Sequence, residues 1–351
     1  MISLLDDLEK INKHDAENML GAIGNFPENT RNALIETEKL NLEIIETREL
    51  NSLLIIGMGG SAVGGLLLKD WLRGVSRIPI HVSRSYNLPE WVNKNTLVYA
   101  VSYSGETEET LTQYKQALAK ECQVIAFCSG GTLSKIAEQE NNPLVLFPRD
   151  YKPRAAIAYQ FYSIAHVTHR LGLIPDDKWE EVKESINVVE SLIVDLRKEI
   201  PLKDNPAKHL AEAIHGLVPF IYGSKLFETV AYRFSTQFNE NSKSPAATNF
   251  FPEAFHNSIM AAEGEEKLIK NICGVFILDP LEKEPLKSKI KKFRNILEGN
   301  LGRIIEVEAR GKGELARMMS AVTIGDFASA YLGILYGEDP STMDSITRLK
   351  N

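Results

Sequence analysis

The chain has 351 residues, of which 44% are hydrophobic and 25% charged, and its formal net charge is −7. This length exceeds what one hydrophobic core ordinarily organises, so we expect a globular protein with two domains. The acidic balance excludes a general attraction to nucleic acid or to an anionic membrane. Local groups must therefore hold any anionic ligand, and the expected partner is a small molecule.

Cysteine usage and the N-terminal segment indicate the compartment. Cys122, Cys128 and Cys273 are an odd number without a closely spaced pair, which favours buried, reduced thiols over a zinc ribbon or a redox motif. Residues 1–17 mix acidic and basic side chains and do not resemble a signal peptide. No stretch has the apolar length expected of a membrane span. The sequence therefore predicts a cytoplasmic protein.

The first half of the chain alternates between helical and strand patterns. Residues 1–48 show apolar positions at helical spacing, with a break expected at Pro27, and are predicted to form short helices that pack on the first domain. Strands are predicted at 53–56, 78–82, 96–101, 124–127 and 144–146. With the helical stretches between them, these strands predict a first α/β domain with a mainly parallel sheet over residues 49–150.

The second half repeats this rhythm after a helical connection over residues 151–205, with helices predicted at about 155–171 and 177–200. Further strands are predicted at 217–222, 272–278 and 302–307, and helices at 225–238 and 287–297. A second α/β domain of the same kind is therefore predicted over 206–310. Helical patterns at 313–336 and after Pro340 predict C-terminal helices over 311–351.

The first predicted strand runs into a glycine-rich segment, Gly57–Gly65, which leads into a helix. Glycines let the backbone approach an anion, and the helix start supplies free amides and the positive end of a dipole. Gly59, Gly60 and Ser61 are therefore predicted to bind phosphate. The same spacing fits a dinucleotide fingerprint, but no acid follows the second strand, where Arg84 would suit only an NADP phosphate. A glycine turn without a ligand is the other alternative.

A second polar loop follows the third predicted strand. Ser102, Ser104 and Thr107 bring three hydroxyls to the carboxyl end of that strand, where open α/β sheets bind ligands, and they predict a phosphate pocket. The alternative for Thr107 is plain capping of the following helix. The two loops together resemble the sugar isomerase (SIS) domain of phosphosugar isomerases and of regulators that sense phosphosugars. The fold alone does not separate these two functions.

Three further residues are candidates for proton transfer on a sugar. Isomerising an aldose requires ring opening and removal of a proton next to a carbonyl, and Glu240 and His256 supply a carboxylate and an imidazole for these tasks. Arg154, which follows Pro153 at a helix start, supplies a cation for the negative enediolate oxygen. Each has a simpler alternative: a solvated glutamate, a histidine used in packing, and a surface arginine.

Together these segments closely resemble the bifunctional phosphoglucose/phosphomannose isomerases over nearly the whole chain. The resemblance implies that Glu240 is the base, that His256 comes from the partner subunit and opens the ring, and that Arg154 stabilises the enediolate. It implies phosphate binding by the residues of the two loops, Gly59, Gly60, Ser61, Ser102, Ser104 and Thr107. Lys350 matches, more loosely, a residue that closes the pocket.

The resemblance also implies an activity: reversible conversion of glucose 6-phosphate and mannose 6-phosphate to fructose 6-phosphate through a cis-enediol, in a homodimer without cofactor or metal. Two departures are expected to lower affinity: Glu106 stands where the family often has Asn, and Ser258 replaces a common acidic residue. A monofunctional isomerase acting on an amino sugar, or a phosphosugar-binding regulator, are the alternatives. A regulator would carry a basic DNA-binding module, of which residues 1–48 show no sign.

Overall fold

The computed structural model describes residues 3–149 and 151–350 and divides into two compact units. The first domain is Asn25–Glu181, and the second comprises the described residues on either side of it. The N-terminal segment is thus divided, although the sequence pattern had predicted that all of residues 1–48 pack on the first domain. Its start belongs to the second domain because the Ser3 hydroxyl donates to Glu212 (2.7 Å) and the buried Lys208 donates to the Leu5 carbonyl (2.6 Å). Its helices are α1 (Leu8–His14) and α2 (Met19–Gly24).

The first domain is built on a five-stranded parallel sheet of order β2-β1-β3-β4-β5. Its strands are β1 (Ser52–Ile56), β2 (Ile80–Ser83), β3 (Thr96–Ser102), β4 (Gln123–Cys128) and β5 (Leu144–Leu146). Its helices are α3 (Phe26–Glu38), α4 (Gly59–Leu72), α5 (Glu108–Ala119), α6 (Gly131–Gln139), α7 (Ile157–Arg170) and α8 (Asp176–Trp179). β1 and β3 are buried along their whole length, as inner parallel strands covered on both faces must be.

The second domain has a four-stranded parallel sheet of order β7-β6-β8-β9. Its strands are β6 (Val218–Ser224), β7 (Ala247–Phe251), β8 (Ile272–Leu278) and β9 (Arg303–Glu308). Its longer helices are α9 (Glu181–Leu196), α10 (Pro206–Ile214), α11 (Glu228–Asn241), α13 (Leu286–Leu297) and α14 (Glu314–Leu335), and its shorter ones are α12 (Glu266–Ile269) and α15 (Asp344–Lys350).

The helix α14 forms the centre of the second domain, where it packs against α10 and α11. It is long and apolar enough to cross a membrane by length and composition, so the prediction that no stretch has this character is wrong. Of that apolar stretch, 94% is buried inside the protein. A helix that is hydrophobic all round and buried is typical of a domain core.

The predicted fold class, two mainly parallel α/β domains flanked by helices, is confirmed. Every predicted strand is present with its ends within two residues of the prediction, and β7 is the strand that was missed. The break expected at Pro27 is wrong because this proline lies in the first turn of α3, where its missing N–H needs no partner. The helix predicted to end at residue 238 continues to Asn241, so Glu240 lies in its last turn.

Candidate active site

The glycine-rich loop joins β1 to α4. Gly59 has a φ of +51°, a left-handed conformation that glycine adopts without strain, and it begins the helix. The Ser61 Oγ is buried and accepts two hydrogen bonds, from the Tyr103 backbone N–H (3.3 Å) and from the Gln160 Nε2 (3.3 Å). Because Tyr103 lies between the two serines of the second loop, this contact places the two predicted phosphate loops next to each other.

The second loop has its own hydroxyl network. The Ser102 Oγ donates to the Thr107 Oγ1 (2.9 Å) and accepts from the Gly105 N–H (3.1 Å). The exposed Ser104 accepts from the Glu106 N–H (3.2 Å). Thr107 occupies the N-cap position of α5, but its side chain makes no capping hydrogen bond to that helix. Simple capping therefore does not explain the threonine, and hydroxyls and amides line this loop.

Glu106 is held by a neighbouring helix. Its carboxylate accepts from the N–H (2.7 Å) and the Oγ1 (2.9 Å) of Thr132, in the first turn of α6. The positive end of the helix dipole lies there, so the local partners offset the acidic charge. These contacts therefore reduce the loss of phosphate affinity expected from Glu106.

A third loop, Ser129–Thr132 after β4, supports the second loop and was not singled out from the sequence. The Ser129 N–H (2.8 Å) and Oγ (2.7 Å) both donate to the Tyr103 carbonyl. Gly105 has a φ of +70°, and a Cβ there would lie 1.9 Å from the Gly130 carbonyl oxygen. Gly130 and Gly131, one residue after the end of β4, were the sequence signal for this loop.

Arg154 lies in the first domain, in a 3-10 turn, Pro153–Ala155, just before α7. It is 5% exposed, which contradicts the alternative of a surface arginine. The turn runs beside the first loop, since a Cβ added to Gly60 would lie 3.7 Å from the Pro153 carbonyl oxygen. The loop residues and the turn that carries Arg154 are thus grouped at one edge of the first domain.

Glu240 is half-buried in the last turn of α11, in the second domain. The Lys243 Nζ donates to the carbonyls of Glu240 (3.0 Å) and Asp339 (2.9 Å), and it therefore stabilises the carboxyl end of this helix. The neighbouring Asn241 is buried and donates to the Ser329 Oγ of α14 (2.9 Å). The helix turn that carries Glu240 is accordingly fixed from both sides.

A buried ion pair holds α11 on α14. The Arg233 Nε and Nη2 donate to the two carboxylate oxygens of Asp326 at 2.9 and 2.7 Å. Burial raises the pKa of Asp326, and Arg233 opposes this shift. The backbones also approach closely, because a Cβ at Gly333 would lie 2.6 Å from the Asn241 carbonyl oxygen. This bidentate geometry fixes the rotation of α11 against α14.

His256 is exposed at the end of a 3-10 helix, Glu253–His256, which follows β7 in the second domain. A packing histidine would be buried, so that alternative is wrong. The turn is anchored by Phe255, whose ring stacks on Phe251 with centroids 4.9 Å apart. Burial raises the pKa of Tyr222, and a hydrogen bond with Ser258 counteracts the shift. Ser258 therefore supports the aromatic core under this turn.

The candidate residues divide between the domains. Ser61, Ser102, Thr107 and their neighbours lie with Arg154 in the first domain, and Glu240 and His256 lie in the second. Lys350 ends α15, and its side chain lies outside the part that the structure describes. Within residues 3–149 and 151–350, no group of three or more His, Cys, Asp or Glu side chains is arranged to hold a metal ion.

The chain matches two family models, a SIS domain over residues 47–163 and the bacterial phospho-glucose isomerase C-terminal SIS domain over residues 203–351. A bifunctional phosphoglucose/phosphomannose isomerase of Caldicellulosiruptor bescii is 34% identical over 335 residues, 95% of this chain and 98% of the relative. One of Aquifex aeolicus is 31% identical over 84% and 88% of the two chains. In fold, the C-terminal domain of glucosamine-fructose-6-phosphate aminotransferase from Francisella tularensis is similar, with a TM-score of 0.71 at 16% identity, covering 92% of this chain and 98% of that one.

Proposed function

Since this chain belongs to the family of bifunctional phosphoglucose/phosphomannose isomerases, we propose that it interconverts glucose 6-phosphate and mannose 6-phosphate with fructose 6-phosphate. The observation that carries the proposal is the 34% identity over 98% of a relative of that name. The contact between Ser61 and Tyr103, which joins two hydroxyl-bearing loops, adds local support. A phosphate monoester needs such an arrangement, and here the N–H and O–H donors lie at the starts of α4 and α5.

The first domain holds the phosphate in this proposal. Amides at Gly59 and Gly60 and the hydroxyls of Ser61, Ser104 and Thr107 donate to its oxygens, and the Ser102 hydroxyl orients Thr107 by donating to its Oγ1 (2.9 Å). The start of α4 adds the positive end of a helix dipole. Since the protein as a whole is acidic, this local field is what attracts the dianion.

The reaction itself is a proton transfer. His256 assists opening of the sugar ring. In a homodimer with shared sites, the residue that does so is the partner subunit's His256. Glu240 removes the proton at C2 of the aldose and returns it to C1, and Arg154 stabilises the negative charge of the enediolate. Glucose and mannose phosphates differ only at C2, so one base serves both sugars when the cis-enediol rotates about the bond from C2 to C3. Aldose and ketose have the same oxidation level, so this reaction consumes no redox cofactor. We place the protein in the cytoplasm.

The test is a coupled assay of fructose 6-phosphate formation from each aldose in the presence of a chelator. The expected result is turnover of both sugars by the native protein. Turnover of glucosamine 6-phosphate alone would replace the proposal by an amino-sugar isomerase, and binding without turnover of any sugar would replace it by a phosphosugar-binding protein.

The shared site is tested separately by mixing variants. Glu240→Gln and His256→Ala subunits, each inactive alone, are expected to regain part of the activity when they form mixed dimers. A monomer with full activity would contradict the dimer.

A further inference from the structure

Gln160 lies over the glycine-rich loop, and no feature of the sequence marks it as functional. It is on α7, in the same domain as the loop, and it is 1% exposed. Its Nε2 donates to the Ser61 Oγ (3.3 Å), and its Oε1 has no hydrogen-bond partner. A buried amide oxygen without a partner is costly, so its persistence here needs a reason.

The loop is shaped to receive this amide. A Cβ at Gly60 would lie 3.1 Å from the Gln160 Oε1, and a Cβ at Gly64 would lie 2.7 Å from the Gln160 backbone oxygen. Both glycines therefore leave room for α7 and for its glutamine side chain. The glycines of this segment thus serve packing against Gln160 as well as the approach of an anion.

The hydrogen bonds already made by the Ser61 Oγ leave only its O–H donor unused. A serine hydroxyl has one O–H donor and two acceptor lone pairs. The Tyr103 N–H and the Gln160 Nε2 occupy the two lone pairs. The hydroxyl hydrogen is consequently available to an acceptor at the loop, which is the site of the phosphate in the proposed function. With the amide turned over, the Oε1 would accept that hydrogen and withdraw it from the ligand.

We propose that Gln160 is a positioning residue that acts through Ser61: it fills one lone pair of the serine and thereby directs the hydroxyl hydrogen to a phosphate oxygen of the substrate. This inference deepens the proposed function and rests on its phosphate site. It concerns binding of the phosphate and leaves the proton transfer to Glu240. The expected signature is therefore a raised KM with an unchanged kcat.

The test is a double-mutant cycle measured by calorimetric titration with glucitol 6-phosphate, which carries the phosphate but no carbonyl and cannot be isomerised. Ser61→Ala is expected to weaken binding about 30-fold, the usual effect of losing a hydrogen bond to a charged group. Gln160→Leu is expected to weaken it about tenfold when Ser61 is present. In the Ser61→Ala background, Gln160→Leu should have no further effect, because the residue through which it acts is gone.

A matched control separates this role from general loss of packing. Gln113 is also 1% exposed in the first domain, with a partnerless Oε1, and its amide donates to the Ser85 carbonyl instead of to the loop. Gln113→Leu is expected to bind glucitol 6-phosphate like the native protein. Gln160→Glu retains the shape but accepts the serine hydrogen and adds a negative charge, so it should bind more weakly than Gln160→Leu.

Three results with the variants would overturn the inference. They are native affinity in Gln160→Leu, additive losses in the double variant, and equal losses in Gln160→Leu and Gln113→Leu. A native protein that binds glucitol 6-phosphate but turns over neither aldose would reject the proposed isomerase, and the cycle would still decide the role of Gln160. Native protein that does not bind the probe would reject the inference with its phosphate site.

Discussion

Each of the two domains has its own parallel sheet, but the segments that follow the central strands differ. In the first domain, β1 and β3 lead into the glycine-rich loop and the hydroxyl loop. In the second, β6 ends at Ser224, whose hydroxyl donates to Glu282 (2.7 Å), and β8 is followed by Asp279, which lies 2.9 Å from the Arg317 Nε. Carboxylates thus occupy the second sheet edge where the first has amides and hydroxyls. The comparison teaches that anion binding belongs to the loops and not to the fold.

The largest expected effect is on kcat, from loss of the base that the second domain supplies. Glu240→Gln should lower kcat for both aldoses by about 10³-fold, because the amide cannot take up the proton. Binding of glucitol 6-phosphate should change little, since the phosphate loops belong to the first domain. Glu228→Gln, at the opposite end of the same helix, is the control and should retain native kcat. Equal loss in both variants would show that the helix and not the base had been disturbed.

The next effect concerns stability of the second domain alone. Arg233→Leu leaves Asp326 buried without its partner, and such a change costs about 3–5 kcal/mol of unfolding free energy. The three tryptophans, Trp71, Trp91 and Trp179, all lie in the first domain. Urea unfolding followed by far-UV circular dichroism should therefore shift more than the same unfolding followed by tryptophan fluorescence. Identical shifts would mean that the domains unfold as one unit.

The comparison is sharpened by matched serines at the ends of central strands. Ser102→Ala removes a hydroxyl from the phosphate loop and should raise KM for both aldoses about tenfold or more. Ser224→Ala, at the end of β6, removes only the hydrogen bond to Glu282 and should leave KM unchanged. Steady-state kinetics of the two variants decide the matter. A raised KM in Ser224→Ala would place a phosphate contact in the second domain.

The smallest effect is a pH dependence confined to the first domain. Burial lowers the pKa of His166 below its ordinary value of 6.5; Arg170 and His169 act in the same direction, and Glu38 opposes them. As the pH falls, His166 therefore takes up its proton in the unfolded chain before it does so in the folded protein. The stability that the neutral His166 contributes is present in full above about pH 6.5 and is lost as the pH falls through the pKa of His166 in the folded protein.

The measurement is urea unfolding at about pH 7.5 and about pH 5.5, followed by tryptophan fluorescence. This signal reports on the first domain and includes Trp179, whose ring stacks on His166 with centroids 5.2 Å apart. The difference in midpoint between the two pH values should shrink in His166→Gln. An unchanged difference in the variant would assign the effect to another group.

How much of the fold was predictable depends on how local the signal was. The inner strands were found because their apolar runs are short and bounded by turns. β7 was missed because four of its five residues, Ala247 to Phe250, are only partly buried at a sheet edge. The proline in α3 misled because a proline interrupts a helix only beyond the first turn. The burial of α14 on all sides results from its packing against other helices of the domain. The residues of α14 alone do not reveal this packing.

The candidate site shows the same limit. The glycine and serine loops were visible because phosphate binding needs particular residues at the end of a strand. Gln160 was invisible because it contacts Ser61 across 99 positions of sequence. The roles of Glu240, His256 and Arg154 came from resemblance, since no spacing rule links a helix end, a 3-10 turn after an edge strand and a turn in another domain.

The central claim, that this chain isomerises both sugars by proton transfer on Glu240, is tested most directly by isotope exchange. Fructose 6-phosphate is incubated with native protein or Glu240→Gln in D₂O and followed by proton NMR. The account predicts that native protein forms glucose 6-phosphate and mannose 6-phosphate with deuterium at C2, and that the variant forms neither. Products that carry only protium at C2, moved there from C1 as in hydride transfer, or full exchange by Glu240→Gln, would contradict it.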